Sequence, residues 1–561
     1  MSLDLDAIRA DFPILSTQVN GRPLVYLDNG ASAQKPQVVI DAISRAYAGE
    51  YANVHRGLHH LSNLATENYE RVRGIIARFL GAPHEDEVIF TSGSTEAINL
   101  VSYAWAAPRL QPGDEILLSV LEHHANIVPW HFLRERQGVV LRWVEPEPDG
   151  SLPAEKVLAA VGPRTRLIAV THMSNVTGTI VDVGAIARGT DVPVLVDGSQ
   201  AAVHMPVDVA ALGCDFYCIT GHKLYGPSGS GAIWIRRERQ AEMRPFLGGG
   251  DMIREVTREA VSYADPPLRF EAGTPAIVPT IGLGVALEYL EGLGMEAIAA
   301  HEHALGAYAA DRLAGLNWLN LQGTAPGKGA IFSFTMEGPA HPHDISTVID
   351  RRGVAVRAGH HCAQPLMTRL GLTATCRASF GLYNTTAEVD AIFTGHTHKR
   401  YAWDAPVPGG DGTRPIIQSN SYGDTLGQLQ LGIDPETGEV VEYSATNVPV
   451  APATEECAGD PTYTTAAGIV DDAVEEADEL GKVVDNLVGN AVKYTPHGGT
   501  VRVAVVADAE DLPRLRELTE PALRAEANRL VGYDTSGLSL DELLIATDTH
   551  LGTPEQVIER L

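Results

Sequence analysis

One lysine, Lys223, stands in a tight turn, Thr220-Gly-His-Lys-Leu-Tyr-Gly-Pro227, directly after the apolar run 214–219. A lysine amine is a useful nucleophile only where its surroundings hold it neutral, and tyrosine, proline and glycines crowd this one. Upstream, Asp197 closes the apolar stretch Val194-Leu-Val-Asp-Gly-Ser-Gln200. A carboxylate there needs a partner. A pyridinium nitrogen is a suitable one, and the pairing keeps the ring an electron sink. Downstream, Cys362 lies in Arg357-Ala-Gly-His-His-Cys-Ala-Gln-Pro365, a glycine- and histidine-rich loop. His360, His361 and Arg357 beside it favour the thiolate. Aspartate, lysine and reactive cysteine in that order point to pyridoxal-phosphate chemistry on a sulfur substrate.

Other segments add to this set. Phe90-Thr-Ser-Gly-Ser-Thr-Glu-Ala-Ile-Asn99 has the pattern of a strand, a small-residue loop and a helix start. Free N–H groups and the helix dipole make such a turn a phosphate cradle, with Ser94 and Thr95 at its lip. His123, in Glu122-His-His-Ala-Asn-Ile-Val-Pro-Trp130, can stack on a cofactor ring and act as an acid or base. Arg377 can grip a carboxylate bidentately. Each residue alone has a plainer reading: a surface lysine, a strand-end cap, a core histidine, a structural thiol, a buried ion pair. Their co-occurrence outweighs those readings.

The elements that must position these groups follow from hydrophobic patterning. Strands are expected at 23–27, 87–90, 115–119, 166–171 and 192–196, and helices at 38–47, 68–80 and from Thr95 onward. This alternation predicts a largely parallel sheet covered by helices on both faces. Near Pro275 the pattern changes to a long helix, 279–293, and a smaller α+β region with a strand at 330–335. Residues 1–20 form an N-terminal arm, 21–275 a large domain and 276–390 a small domain carrying the cysteine loop.

Composition narrows the functional classes. The 561 residues are 44% hydrophobic and 20% charged, with a formal net charge of -29. This disfavours nucleic acid and anionic membranes as partners. Residues 391–561 hold most of the excess, with 11 Lys+Arg against 29 Asp+Glu. Five cysteines without a CxxC argue against a disulfide framework or zinc ribbon. Neither a signal peptide nor a run of about 18 apolar residues occurs, so a cytoplasmic location is expected.

The chain closely resembles group II (SufS-type) cysteine desulfurases, fold-type I enzymes of the class V aminotransferase family. The match runs from about Leu5 to Asp390. It includes Tyr26-Leu-Asp-Asn-Gly-Ala31, Asn53-Val-His-Arg-Gly57, His172-Met-Ser-Asn-Val-Thr-Gly178 and Phe270-Glu-Ala-Gly-Thr-Pro275, besides the lysine, histidine and cysteine segments. The resemblance implies an α/β fold with a mainly parallel seven-stranded sheet and a small α+β domain. It implies that Lys223 holds pyridoxal 5'-phosphate, Asp197 pairs its ring nitrogen and His123 stacks on the ring. Gln200 and Asn175 address its phenolic oxygen. Ser94, Thr95, Thr220 and His222 hold its phosphate, and Thr274 reaches it from a neighbouring subunit. Arg377, with Arg357, Asn175 and His55, receives the substrate, and Cys362 accepts its sulfur as persulfide. L-cysteine as substrate, a homodimer and a sulfur acceptor of the SufU or SufE kind, feeding iron–sulfur cluster assembly, are implied as well. Cys362-Ala-Gln-Pro365 and His343-Asp344 look more like relatives that use zinc-containing SufU, with His343 toward the partner's zinc.

After Asp390 the sequence resembles other families in pieces. Gly395-His-Thr-His398 and the region to about 484 resemble calcineurin-like 5'-nucleotidases, but the upstream Asp-x-His and Gly-Asn-His ligand segments are missing. His396 and His398 are therefore orphans, and no metal site is assigned. Residues 485–508 resemble the N-box of histidine-kinase ATPase domains, with Asn486 and Asn490 in place but no Asp-x-Gly-x-Gly. From 509 the sequence is helical, and 552–560 weakly resembles luciferase-like flavin enzymes. A β-meander is expected at 428–448 and an acidic helix at 466–480. The tail reads as a mosaic that replaces the family's last helix, with a well-formed core before 390 and loose packing after it. Rival functions are selenocysteine lyase or another aminotransferase-like activity, a metal-dependent nucleotide phosphohydrolase, and a non-catalytic mosaic protein.

Overall fold

The computed structural model describes residues 3–316, 318–337 and 340–390, and four strands at 401–406, 413–418, 425–433 and 440–449. Seven strands form the main sheet, in the spatial order Val88–Thr91, Gly231–Ile235, Phe216–Thr220, Val194–Asp197, Thr165–Thr171, Glu115–Ser119 and Val140–Val144. Gly231–Ile235 runs antiparallel to both neighbours, and the pairings from Phe216–Thr220 onward are parallel. The sheet is thus the mainly parallel one expected. The antiparallel strand was not foreseen: Gly-Ala-Ile-Trp-Ile is short and directly follows a glycine-rich turn.

Alternation along each strand explains the layering. Leu117, Ile168, Val170, Val194 and Val196 join one core cluster, while Ile116, Leu118, Leu167, Ala169 and Leu195 join another. Successive strand residues point to opposite faces, so a strand apolar throughout must be covered on both. One cover is the helix His60–Phe79, which buries Ala65, Tyr69, Val72, Ile76 and Phe79 at helical spacing. The long helix Ile277–Leu293 packs on it and on Gln37–Arg45. Among the described residues no single helix is long and apolar enough to cross a membrane.

The strand expected at 23–27 splits. Arg22–Pro23 pairs with Gln18–Val19, and Val25–Tyr26 pairs in parallel with Val354–Ala355. Pro23 has no N–H to continue a ladder. The smaller region is a four-stranded antiparallel sheet, ordered Leu319–Gln322, Ile331–Met336, Thr375–Ser379 and Arg357–Gly359. Its core holds Phe332, Phe334, Cys376, Phe380 and Leu305.

By internal contacts the chain divides into two units. The first comprises 1–421 and 429–446, and the second 422–428 and 447–561. Tyr401–Pro406 pairs with Thr413–Gln418, and Thr425–Ile433 with Val440–Pro449; the last two span the expected meander. His396, His398, Asn486, Asn490, the acidic helix at 466–480 and the segment 552–560 lie outside the described residues.

Candidate active site

A parallel sheet delivers its loops to one edge, at the strands' carboxyl ends. Here that edge carries Ser94 and Thr95 after Thr91, His123 after Ser119, Asn175 after Thr171, Asp197 itself, and Lys223 after Thr220. All of them line one cavity of about 400 Å³, together with Gln200, Thr220, His222, Arg357, His361, Cys362 and Arg377.

The lysine turn is held from several sides. Gly221 N–H donates to the Ser230 carbonyl (2.8 Å) and Gly226 N–H to the Gly221 carbonyl (2.9 Å). A Cβ on Gly221 would lie 2.2 Å from Ser230 Oγ, which requires glycine there. Tyr225 takes a left-handed φ of 58°, and its hydroxyl accepts from Leu382 N–H at 3.0 Å. Burial pushes the Lys223 amine down to about 8, with Asp197 opposing that shift. A sizeable neutral fraction therefore exists near neutrality.

Asp197 is buried. Its Oδ1 accepts from Ser199 N–H (3.0 Å) and from Ser199 Oγ. Ser199 shares a hydrogen bond of 2.6 Å with Ser94 Oγ. Burial and the nearby Lys223 charge hold His123 down at about 4. Its Nδ1 accepts from Ala125 N–H at 3.1 Å, so the neutral ring keeps Nε2–H as a donor. Burial likewise lowers His222 to about 4. Gln200 Nε2 donates to the Gly30 carbonyl and Asn175 Nδ2 to the His361 carbonyl, both at 2.7 Å.

The smaller sheet closes the other side. Arg377 is buried, with Nη1 on the Asn175 carbonyl (2.9 Å) and Nη2 on Asp28 (3.1 Å). Its Nε has no partner. Both plainer and sharper readings of Arg377 are therefore present: an internal ion pair, plus a buried donor left over. Cys362 is exposed. It and His361 both adopt left-handed backbone, at φ 55° and 51°, a conformation that costs free energy in non-glycine residues. Cys362 O accepts from His124 N–H at 2.7 Å, and Gln364 N–H donates to His124 Nε2 at 3.2 Å.

The expected histidine support for the thiolate needs correction. His361 turns to Thr375 Oγ1 at 2.9 Å, and burial pushes it down to about 3, so it is neutral. His360 Nδ1 accepts from Cys362's own N–H, and Arg357 is engaged by Asp28. Two further expected site residues are not among those lining the cavity. His55 pairs with Glu70 at 2.8 Å, and Thr274 is exposed. His343 is exposed, stacked on His341, away from these groups.

Sequence reasoning missed several supports. Ser199 was legible in hindsight, two residues after Asp197 in an Asx-like turn. Glu122 is completely buried, and its carboxyl is pushed up to about 8 by that burial. It accepts from Ser119 Oγ, Asn126 Nδ2 (2.7 Å) and Thr171 N–H (3.0 Å), fixing the loop that carries His123. Lys35 donates to the His222 carbonyl at 3.0 Å, and burial lowers its amine to about 8.

These residues fit pyridoxal phosphate. A depressed amine, a buried carboxylate whose hydrogen bonds all use one oxygen, a flat neutral imidazole, and Ser94, Thr95, Thr220 and His222 at one end match its aldehyde, ring nitrogen, ring face and phosphate. Close backbone approach supports the phosphate end: a Cβ on Gly231 would meet Gly93 Cα at 2.6 Å.

Comparisons agree with that fit. A family model described as Aminotransferase class-V matches residues 25–392. A probable cysteine desulfurase of Xylella fastidiosa is 47% identical over 396 residues, covering 70% of this chain and 95% of that protein. One of Mycolicibacterium paratuberculosis is 48% identical over 392 residues; 69% of this chain is covered, but only 57% of that longer relative. The solved structure of the Escherichia coli cysteine desulfurase CsdA aligns with a TM-score of 0.65 and 38% identity, covering 70% of this chain and 97% of its own.

Proposed function

This chain belongs to the class-V aminotransferase family, and we propose that it is a pyridoxal-phosphate-dependent cysteine desulfurase that places the sulfur of L-cysteine on Cys362 and releases L-alanine. The observation that carries this reading is the shared cavity: a desolvated lysine amine and an exposed cysteine thiol line the same space.

When bound, pyridoxal phosphate supplies the electron sink that stabilises negative charge at the substrate Cα. Lys223 would hold it, Asp197 would keep its ring nitrogen protonated, and the turn from Ser94 would hold its phosphate. The chain's own residues do the rest. Lys223, with an amine near 8, can take and return a proton at Cα. Neutral His123 lies against the ring position with an Nε2–H to donate. Arg377 presents its spare Nε–H to the substrate carboxylate. Cys362 Sγ attacks the substrate sulfur; an S–S bond forms as the Cβ–S bond breaks, and a proton completes the methyl group of alanine.

The exposed thiol also suits hand-off to a second protein. The reading extends to a homodimer, in which Thr274 and His55 would serve a neighbouring copy's cavity. Exposed Leu58, Leu61, Leu247, Val256 and Tyr263 give such a copy apolar surface to cover. The acceptor would be of the SufU or SufE type, with His343 as a contact for a zinc-bearing partner.

The test is alanine and sulfide release from L-cysteine by the purified holoenzyme. A Cys362 peptide carrying one extra sulfur atom by mass is expected, and C362A should release neither product. Equal alanine release by C362A would overturn the reading and favour a lyase that needs no protein thiol.

A further inference from the structure

We propose that Asp28 sets the net charge at the substrate end of the cavity and thereby selects amino acids carrying one carboxylate over those carrying two. The inference rests on the amino-acid chemistry proposed above and deepens it. Arg357 and Arg377 lie directly opposite each other on paired strands. Like charges so placed repel. Asp28 lies against both: Oδ1 accepts from Arg377 Nη2 (3.1 Å), and its two oxygens accept from Arg357 Nε (3.1 Å each) and Nη2 (2.9 Å). Its backbone is fixed by the same two strands, through Leu27 N–H to the Ala355 carbonyl and a bridge from Asp28 to Ser379.

Two guanidiniums and one carboxylate leave one net positive charge. The other titratable groups that act on this cluster do not change that balance. Tyr26 is pushed up to about 12 by burial and by Asp28, so it is neutral, and buried His361 is neutral as well. Cys362, the remaining neighbour, is the sulfur acceptor itself. The one donor left over is Arg377 Nε, wholly buried. One carboxylate therefore satisfies both the spare charge and the spare hydrogen bond. A second anionic group on the substrate would find its countercharge already taken by Asp28, so Asp28 is a positioning and specificity residue acting through the two arginines.

L-aspartate and L-asparagine separate charge from shape, since they differ by one carboxylate at equal size. Both are tested as competitive inhibitors of the holoenzyme with L-cysteine, in the native protein and in D28N. The preference for aspartate over asparagine should rise about tenfold in D28N at low salt, as expected for one added unit charge near the surface. It should shrink in high salt, because Arg357 is half-exposed. A general loss of affinity with an unmoved preference would show that Asp28 only props up Arg377, and would overturn the inference. If D28N does not fold, R357Q gives the opposite arm: the preference should fall, and an unchanged value refutes the idea. Should no variant release alanine while cofactor absorbance still reports the same shift in preference, the proposed activity fails and the charge selection stands.

Discussion

The two walls of the cavity are built differently. The parallel sheet supplies Lys223, Asp197, His123 and Ser94 from strand ends, enclosed on all sides, with protonation shifted by that enclosure. The antiparallel sheet supplies an exposed thiol on a left-handed loop and two arginines sharing one counterion. The first wall has the rigidity and desolvation needed to hold a cofactor and tune an amine. The second has the exposure needed to pass sulfur outward. Binding and hand-off place opposite demands on solvent, and separate sheets meet them.

This contrast can be broken by substitution. K223A should lower kcat by at least about a thousandfold and cost stable cofactor retention. C362A should lose desulfuration to a similar degree yet keep its cofactor absorbance, because its residue belongs to the other wall; loss of cofactor there would erase the distinction. H123A should reduce kcat about a hundredfold, the usual share of one acid–base group, with a smaller change in KM.

pH sharpens the contrast. Only the unprotonated Lys223 amine can react with the cofactor aldehyde. Uptake of pyridoxal phosphate by the apoprotein should therefore speed up about tenfold per unit as pH rises toward about 8, then level off. His123 and His222, held near 4, should add no inflection between pH 6 and 8. Stopped-flow absorbance would show both. The smallest effect is structural: G231A, whose Cβ would press on Gly93 and the Ile219 carbonyl, should cost about 1–3 kcal/mol in denaturant melts.

The first wall was largely legible in the sequence, because each of its groups closes an apolar strand or opens a small-residue turn. Val194–Asp197 and Phe216–Thr220 announce their catalytic ends by local pattern alone. The second wall was legible only in Cys362 and Arg377, which stand in unusual local company. Asp28 could not be found that way: its partner Arg377 is 349 residues distant, and Leu-Asp-Asn-Gly reads as an ordinary turn. Glu122 was hidden for a similar reason, since its burial depends on Thr171, 49 residues on. The thiolate argument failed at His361 because neighbours in sequence need not be neighbours in charge: the ring turns inward to Thr375 and stays neutral.

The account depends most on Lys223 being the residue joined to the cofactor. Borohydride reduction of the purified holoenzyme, followed by peptide mass mapping, measures that directly. The pyridoxyl label should fall on the peptide containing Lys223, and K223A should take up none. A label on Lys35 or any other lysine, or no label on a protein that still releases alanine, would contradict the account.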